Sequence, residues 1–182
     1  VGWFTSLFPV TLNLPEIEDL NHVTAEEYKS CIQSIKEQIR QIPDKGLSYG
    51  VLKYLHPDQG IRDQFKQGTE AQVSFNYLGQ FGDAAEHTGD AWGFATESSG
   101  AAVNPKNHHP NVLDLNGLVV DGQLSFSVAF STDHFKQSAI DQFSQLFKQC
   151  VIGIVEHCAS QDEVAYTPSD FATAQLSQGK LD

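Results

Sequence analysis

A chain of 182 residues fits one domain, or one lobe of a larger one, and is long enough to bury a core. Hydrophobic residues make up 40% and aromatic residues 10%, against 19% charged, which excludes wholesale disorder. Eleven Lys and Arg against 23 Asp and Glu leave a net charge of -12 with no local basic patch, so neither nucleic acid nor an anionic membrane surface is an expected partner.

The first stretch, Val1 to Leu14, is rich in aromatic and β-branched residues and reads as extended, with Pro9 confining part of it to a sheet edge or a bulge. It begins mid-strand, without Met, and the expectation is a piece of something longer. Thr24-Ala25-Glu26-Glu27 has the form of a capping box. Behind it Tyr28, Cys31, Ile32, Ile35, Ile39 and Ile42 recur at the spacing of an amphipathic helix, which Pro43 closes. Leu47 to Leu55 reads as a short helix. Gln72 to Leu78 reads as a strand interrupted by Gly79, and Gln80 to Pro110 as a long loop broken by short strands. Val112 to Val120 and Gln123 to Phe130, joined by Asp121-Gly122, form an expected hairpin. Asp133 is a candidate cap for a last helix of about 26 residues, roughly 39 Å long, with an apolar face running from Ala139 to Cys158.

The order strand, helix, short helix, strand, hairpin, long helix predicts an α/β fold, a two-layer sandwich with a mixed sheet. Residues 1–160 form the expected lobe and residues 161–182 a polar linker tail. No apolar run reaches the ~18 to 20 residues of a membrane span and no signal-peptide pattern opens the chain, so the reading is soluble and cytoplasmic. Cys31, Cys150 and Cys158 read as small buried side chains, with Cys150 and Cys158 about 12 Å apart on one helix and out of disulfide reach.

The chemistry-bearing residues are sparse. His108-His109 and Asp114 sit among loop formers, and adjacent strand residues face opposite sides, so they do not read as a converging site. The other histidines show no i, i+4 spacing for a metal, and none of GxSxG, GxxxxGK or GxGxxG occurs. No catalytic metal is expected. What remains are three clusters that set an aromatic beside a glycine: Gly2-Trp3-Phe4-Thr5, Gly46-Leu47-Ser48-Tyr49-Gly50 and Phe75-Asn76-Tyr77-Leu78-Gly79.

In this order and spacing, Val1-Gly2-Trp3-Phe4-Thr5-Ser6-Leu7-Phe8-Pro9-Val10, Ile42-Pro43-Asp44-Lys45-Gly46-Leu47-Ser48-Tyr49-Gly50 and Phe75-Asn76-Tyr77-Leu78-Gly79-Gln80 closely resemble the last three core motifs of epimerization domains of nonribosomal peptide synthetases, within the condensation superfamily. The tail Thr167-Pro168-Ser169-Asp170-Phe171, with Leu176-Ser177-Gln178, resembles the linker that follows such domains.

The resemblance implies a chloramphenicol-acetyltransferase-like C-terminal lobe of a two-lobed domain with a tunnel between the lobes. It implies inversion of the α-carbon of an aminoacyl or peptidyl thioester, and no cofactor bound directly, the substrate being held on the phosphopantetheine of a carrier protein. The partners implied are a peptidyl carrier protein, the N-terminal lobe and neighbouring synthetase domains. The family's acid–base pair is a histidine of an HHxxxDG motif and a glutamate of a later one; both are expected upstream of Val1.

His108-His109-Pro110-Asn111-Val112-Leu113-Asp114 is a decoy, with four intervening residues instead of three and Leu115 in place of the glycine. Carried onto this chain, the resemblance makes Asn76 and Tyr77 supporting catalytic residues, and Trp3, Phe4 and Tyr49 walls of the substrate channel. The alternatives are a condensation domain that forms peptide bonds, or a non-catalytic lobe that docks carrier proteins.

Overall fold

The computed structural model describes residues 5–68, 71–81, 97–98, 100, 104, 107, 110–162, 164–171, 173–174 and 176–181. Its elements are α1 (Ala25–Arg40), α2 (Leu47–Gly50) continued by a π-helical turn (Val51–Leu55), α3 (Gln59–Lys66), β1 (Val73–Phe81), β2 (Leu113–Val120), β3 (Gln123–Phe130) and α4 (Gln137–Ala159). They divide into two units, residues 1–70 with 143–182, and residues 71–142.

In the first unit α1 starts as the sequence predicts. Thr24 Oγ1 accepts from the Glu27 amide at 3.3 Å, and the Glu27 carboxylate accepts from the Thr24 amide at 2.7 Å, closing both halves of the capping box. The Thr24 hydroxyl and amide hold the Glu27 pKa below its ordinary value. The opening segment departs from expectation: residues 5–14 form no strand. Pro9 and Pro15 bring no N–H to a ladder, and the main chain at Asn13 is bonded instead by a side chain of α1. Gln38 accepts from the Asn13 amide and donates to its carbonyl, each at 2.8 Å.

Past α1, Asp44 (φ 48°), Lys45 (φ 53°) and Gly46 (φ 84°) run consecutively through the left-handed region. Side chains disfavour it by ~1–2 kcal/mol per residue. Gly46 is buried, and the Phe8 ring fills the space a Cβ would take. Phe8 of the first motif therefore touches Gly46 of the second.

Helix α3 was not anticipated. Asp58 caps it by accepting from the Gly60 amide at 2.7 Å, and Ile61 and Phe65 are its i, i+4 apolar pair. Helix α4 begins at Gln137, beyond Asp133, which stands in a turn and is not its cap. Its 23 residues span about 34 Å. The Tyr28 phenol occupies the space a Cβ on Gly153 would need, so α1 and the later part of α4 approach closely. Their tyrosine and His157 rings stack at 5.9 Å.

The stretch after Ser160 is fastened to α1. Thr167 is wholly buried. Asp170, in the 3₁₀ turn Pro168–Phe171, accepts from Lys36 at 2.6 Å, Arg40 at 2.5 Å and the Thr167 amide at 2.9 Å. Ser169 donates its hydroxyl to Glu37 at 2.5 Å.

The second unit is a mixed three-stranded sheet of order β1-β2-β3, with β1 parallel to β2 and β2 antiparallel to β3. Parallel pairing obliges the chain between β1 and β2 to cross over. The expected long loop there lies mostly outside the described residues. Asp121 (φ 48°) and Gly122 (φ 74°) make the hairpin turn with two positive φ values, as a type I′ turn requires. The buried apolar side chains among the described residues, Leu113, Leu115 and Ile140, all belong to this unit. The fold is α/β with a mixed sheet, as expected.

All three cysteines are free, and Cys158 is exposed rather than buried because it stands one residue from the end of α4; Cys31 and Cys150 are partly covered. No helix among the described residues is long and apolar enough to cross a membrane.

Candidate functional site

Strand β1 carries the FNYLG string, and its register on β2 sorts the side chains. Ser74 pairs with Asp114, Phe75 with Leu115, Asn76 with Asn116 and Tyr77 with Gly117. Because side chains alternate along a strand, Asn76 and Tyr77 lie on opposite faces of the sheet. The Tyr77 face is apolar: Phe75, Leu115 and Gly117 share it with Phe126 and Val128 of β3. The Phe126 ring lies over Gly117 and 6.2 Å from the Phe75 ring. Tyr77 itself is 50% exposed.

The Asn76 face is polar. Ser74 donates its hydroxyl to the Asp114 carboxylate, and one row along Asn76 Nδ2 donates to Asn116 Oδ1 at 3.4 Å. The expected kink at Gly79 is present, with φ 94° and a register slip between Tyr77 and Gln80. It falls after both residues, so it does not turn them to a common face. Among the described strands β1 is at the edge of the sheet, where side chains from both faces border the same rim. The chemistry offered is hydrogen-bond donation: a carboxamide from one face and a phenol from the other.

Tyr49 belongs to the helical unit. Its ring meets Phe65 of α3 edge-on at 5.7 Å, and its hydroxyl accepts from Lys53 Nζ at 3.3 Å. The ammonium also stands 5.4 Å from the Tyr49 ring centroid and 5.5 Å from that of Tyr54. The bond to Tyr49 raises the Lys53 pKa, keeping it cationic. Trp3 and Phe4 lie outside the described residues, as do His108 and His109. Asp114, the acidic end of that decoy string, is the partner of Ser74.

Sequence reasoning missed Lys53 and Asn116. The signals were there: Lys53 is four residues beyond Tyr49 on a helix, and Asp114 and Asn116 break an apolar strand with period 2. Among the described residues no three His, Cys, Asp or Glu side chains gather where they could hold a metal ion.

The family model for the condensation domain matches residues 1–177. Surfactin synthase subunit 1 of Bacillus subtilis (strain 168) is 36% identical over 185 residues, covering 100% of this chain and 5% of that protein. Tyrocidine synthase 2 of Brevibacillus parabrevis is 33% identical over 184 residues, again 100% of this chain and 5% of that protein. The crystal structure of the epimerization domain from the third module of tyrocidine synthetase B matches with a TM-score of 0.71 at 30% identity, over 89% of this chain and 34% of that one. This chain thus spans a small part of the two synthetases and about a third of the epimerization-domain chain. It belongs to the condensation-domain family.

Proposed function

We propose that residues 1–160 are the C-terminal lobe of an epimerization domain in a cytoplasmic nonribosomal peptide synthetase, and that residues 161–182 lead to the next domain. The domain inverts the α-carbon of an aminoacyl or peptidyl thioester carried on the phosphopantetheine of a peptidyl carrier protein. The observation that carries this reading is the likeness to an epimerization domain, at 30% identity and a TM-score of 0.71. The FNYLGQ string and the tryptophan motif, read from the sequence alone, support it independently.

Inversion needs one group to remove the α-proton and another to return a proton on the opposite face. The 182 residues hold no HHxxxDG string, and the proposal places that pair upstream of Val1. This lobe's share is to stabilise the enolate that forms between the two transfers. A thioester brought to the β1 edge would meet the Tyr77 phenol from one face and the Asn76 carboxamide from the other, and either donor can hydrogen-bond the developing oxyanion. The resemblance makes Tyr49, which meets Phe65 edge-on and is bonded to Lys53, a substrate-channel residue, together with Trp3 and Phe4.

A second reading, peptide-bond formation, is favoured by one observation: the matching family model is that of the condensation domain. Chiral analysis of the amino acid released from a carrier loaded with the L-aminoacyl thioester separates the two. Epimerization by the intact domain gives a mixture of L and D whichever enantiomer is loaded. Retained chirality, with dipeptide formed when a second loaded carrier is added, would establish condensation instead.

A further inference from the structure

The row next to the reacting centre of that proposal contains a residue to which no role has been given. Asn116 stands opposite Asn76 in the β1–β2 register, and its Oδ1 accepts from Asn76 Nδ2 at 3.4 Å. Both side chains are partly buried. Asn is a poor strand residue, and part-covering two carboxamides on a sheet face gains nothing over an apolar pair there. The neighbouring row is polar too, with Ser74 bonded to Asp114. Two adjacent rows of cross-strand polar bonds fix the β1 register, and a slip of one residue would send Asn76 to the apolar face. The main chain at Asn116 is held from the other side, its backbone carbonyl accepting from the Ser127 hydroxyl of β3 at 3.5 Å.

We propose that Asn116 is a positioning residue: its side-chain oxygen fixes the Asn76 carboxamide so that the second Nδ2 hydrogen points outward as a donor. The inference deepens the epimerization reading and rests on it for its catalytic meaning. A carboxamide free to rotate presents its oxygen or its nitrogen; one tethered through a single N–H presents the other N–H already oriented. The ordering cost of that donor is then met before substrate arrives.

The test has two arms. In the 182-residue chain, the Asn76 side-chain amide protons are followed by NMR in Asn116→Leu, which keeps the size and removes the acceptor, and in Asn116→Asp, which keeps the acceptor. The expected result is that Leu moves the bonded Asn76 amide proton to the shift of a free asparagine side chain and Asp leaves it displaced. Identical Asn76 signals in wild type and Asn116→Leu overturn the proposal.

In the intact domain, Asn116→Leu is expected to lower kcat for α-proton exchange about tenfold with KM unchanged, the size of one lost hydrogen bond. The same substitution should have no further effect in an Asn76→Ala background. An equal loss in that background marks a merely structural residue and also overturns the proposal. A wild-type domain that exchanges no α-proton would overturn the epimerization reading, while the amide signals would still decide the pairing.

Discussion

Two glycines of one motif show how residue-level geometry sets sensitivity to change. Gly46 has φ 84° and the Phe8 ring against it, whereas Gly50 has φ -64° and open space around its Cβ position. Gly46→Ala therefore combines a left-handed side chain with overpacking and is expected to destabilise by about 2–4 kcal/mol. Gly50→Ala is expected to stabilise by about 0.5–1 kcal/mol, because the folded backbone already suits alanine and the unfolded chain loses freedom. Denaturant midpoints of the two variants on the same chain check the contrast, and a Gly46→Ala variant as stable as wild type would mean that Phe8 is not seated there. At Tyr77 the argument is chemical. The side chain is half exposed, so Tyr77→Phe removes a hydroxyl without opening a cavity. The expected outcome in the intact domain is a roughly 100-fold slower α-proton exchange, as for loss of one oxyanion donor, with Tm nearly unchanged. Exchange within a few-fold of wild type would assign Tyr77 to the aromatic face it shares with Phe75 and Phe126.

Among the elements, the segment after α4 makes the clearest pH prediction. The Lys36 ammonium, then the Thr167 amide and the Arg40 guanidinium, hold the Asp170 carboxyl well below the usual carboxylate range. A carboxyl whose pKa is lower in the folded chain contributes stability above its unfolded pKa of about 3.9, and that stability is lost as pH falls from there towards the folded value. Asp170→Asn should be less stable than wild type at pH 6, and the gap should narrow as pH drops below about 4. A gap constant from pH 6 to pH 3 would show that the charge contributes nothing.

These elements also mark what a sequence discloses. The capping box at Thr24, the stripe from Tyr28 to Ile39 and the Asp121-Gly122 turn are local rules obeyed locally, and each was legible. The docking of Asp170 on Lys36 and Arg40 was not, because its partners are more than 120 residues apart and no periodicity records them. The opening segment misled for the converse reason. Aromatic and β-branched residues suit a strand, but its main chain found a partner in the Gln38 side chain. At the candidate site the sequence supplied Asn76 and Tyr77 and their alternation; Asn116 needed the parallel register, which only the crossover between β1 and β2 creates.

For the whole molecule, the account divides labour between lobes. On the proposed reading this lobe supplies donors along the β1 edge, and the acid–base pair lies upstream of Val1. The 182 residues on their own should then bind and orient without inverting anything. The measurement that tests this most directly is deuterium wash-in at the α-carbon. A carrier loaded with an L-aminoacyl thioester is incubated in deuterated water with the intact domain, and in parallel with the 182-residue chain, and the released amino acid is analysed by mass. The account predicts an α-deuteron in the product of the intact domain and none above a blank for the chain alone. An α-carbon that stays fully protonated with the intact domain would contradict epimerization, and enzyme-dependent exchange by the chain alone would contradict the division between lobes.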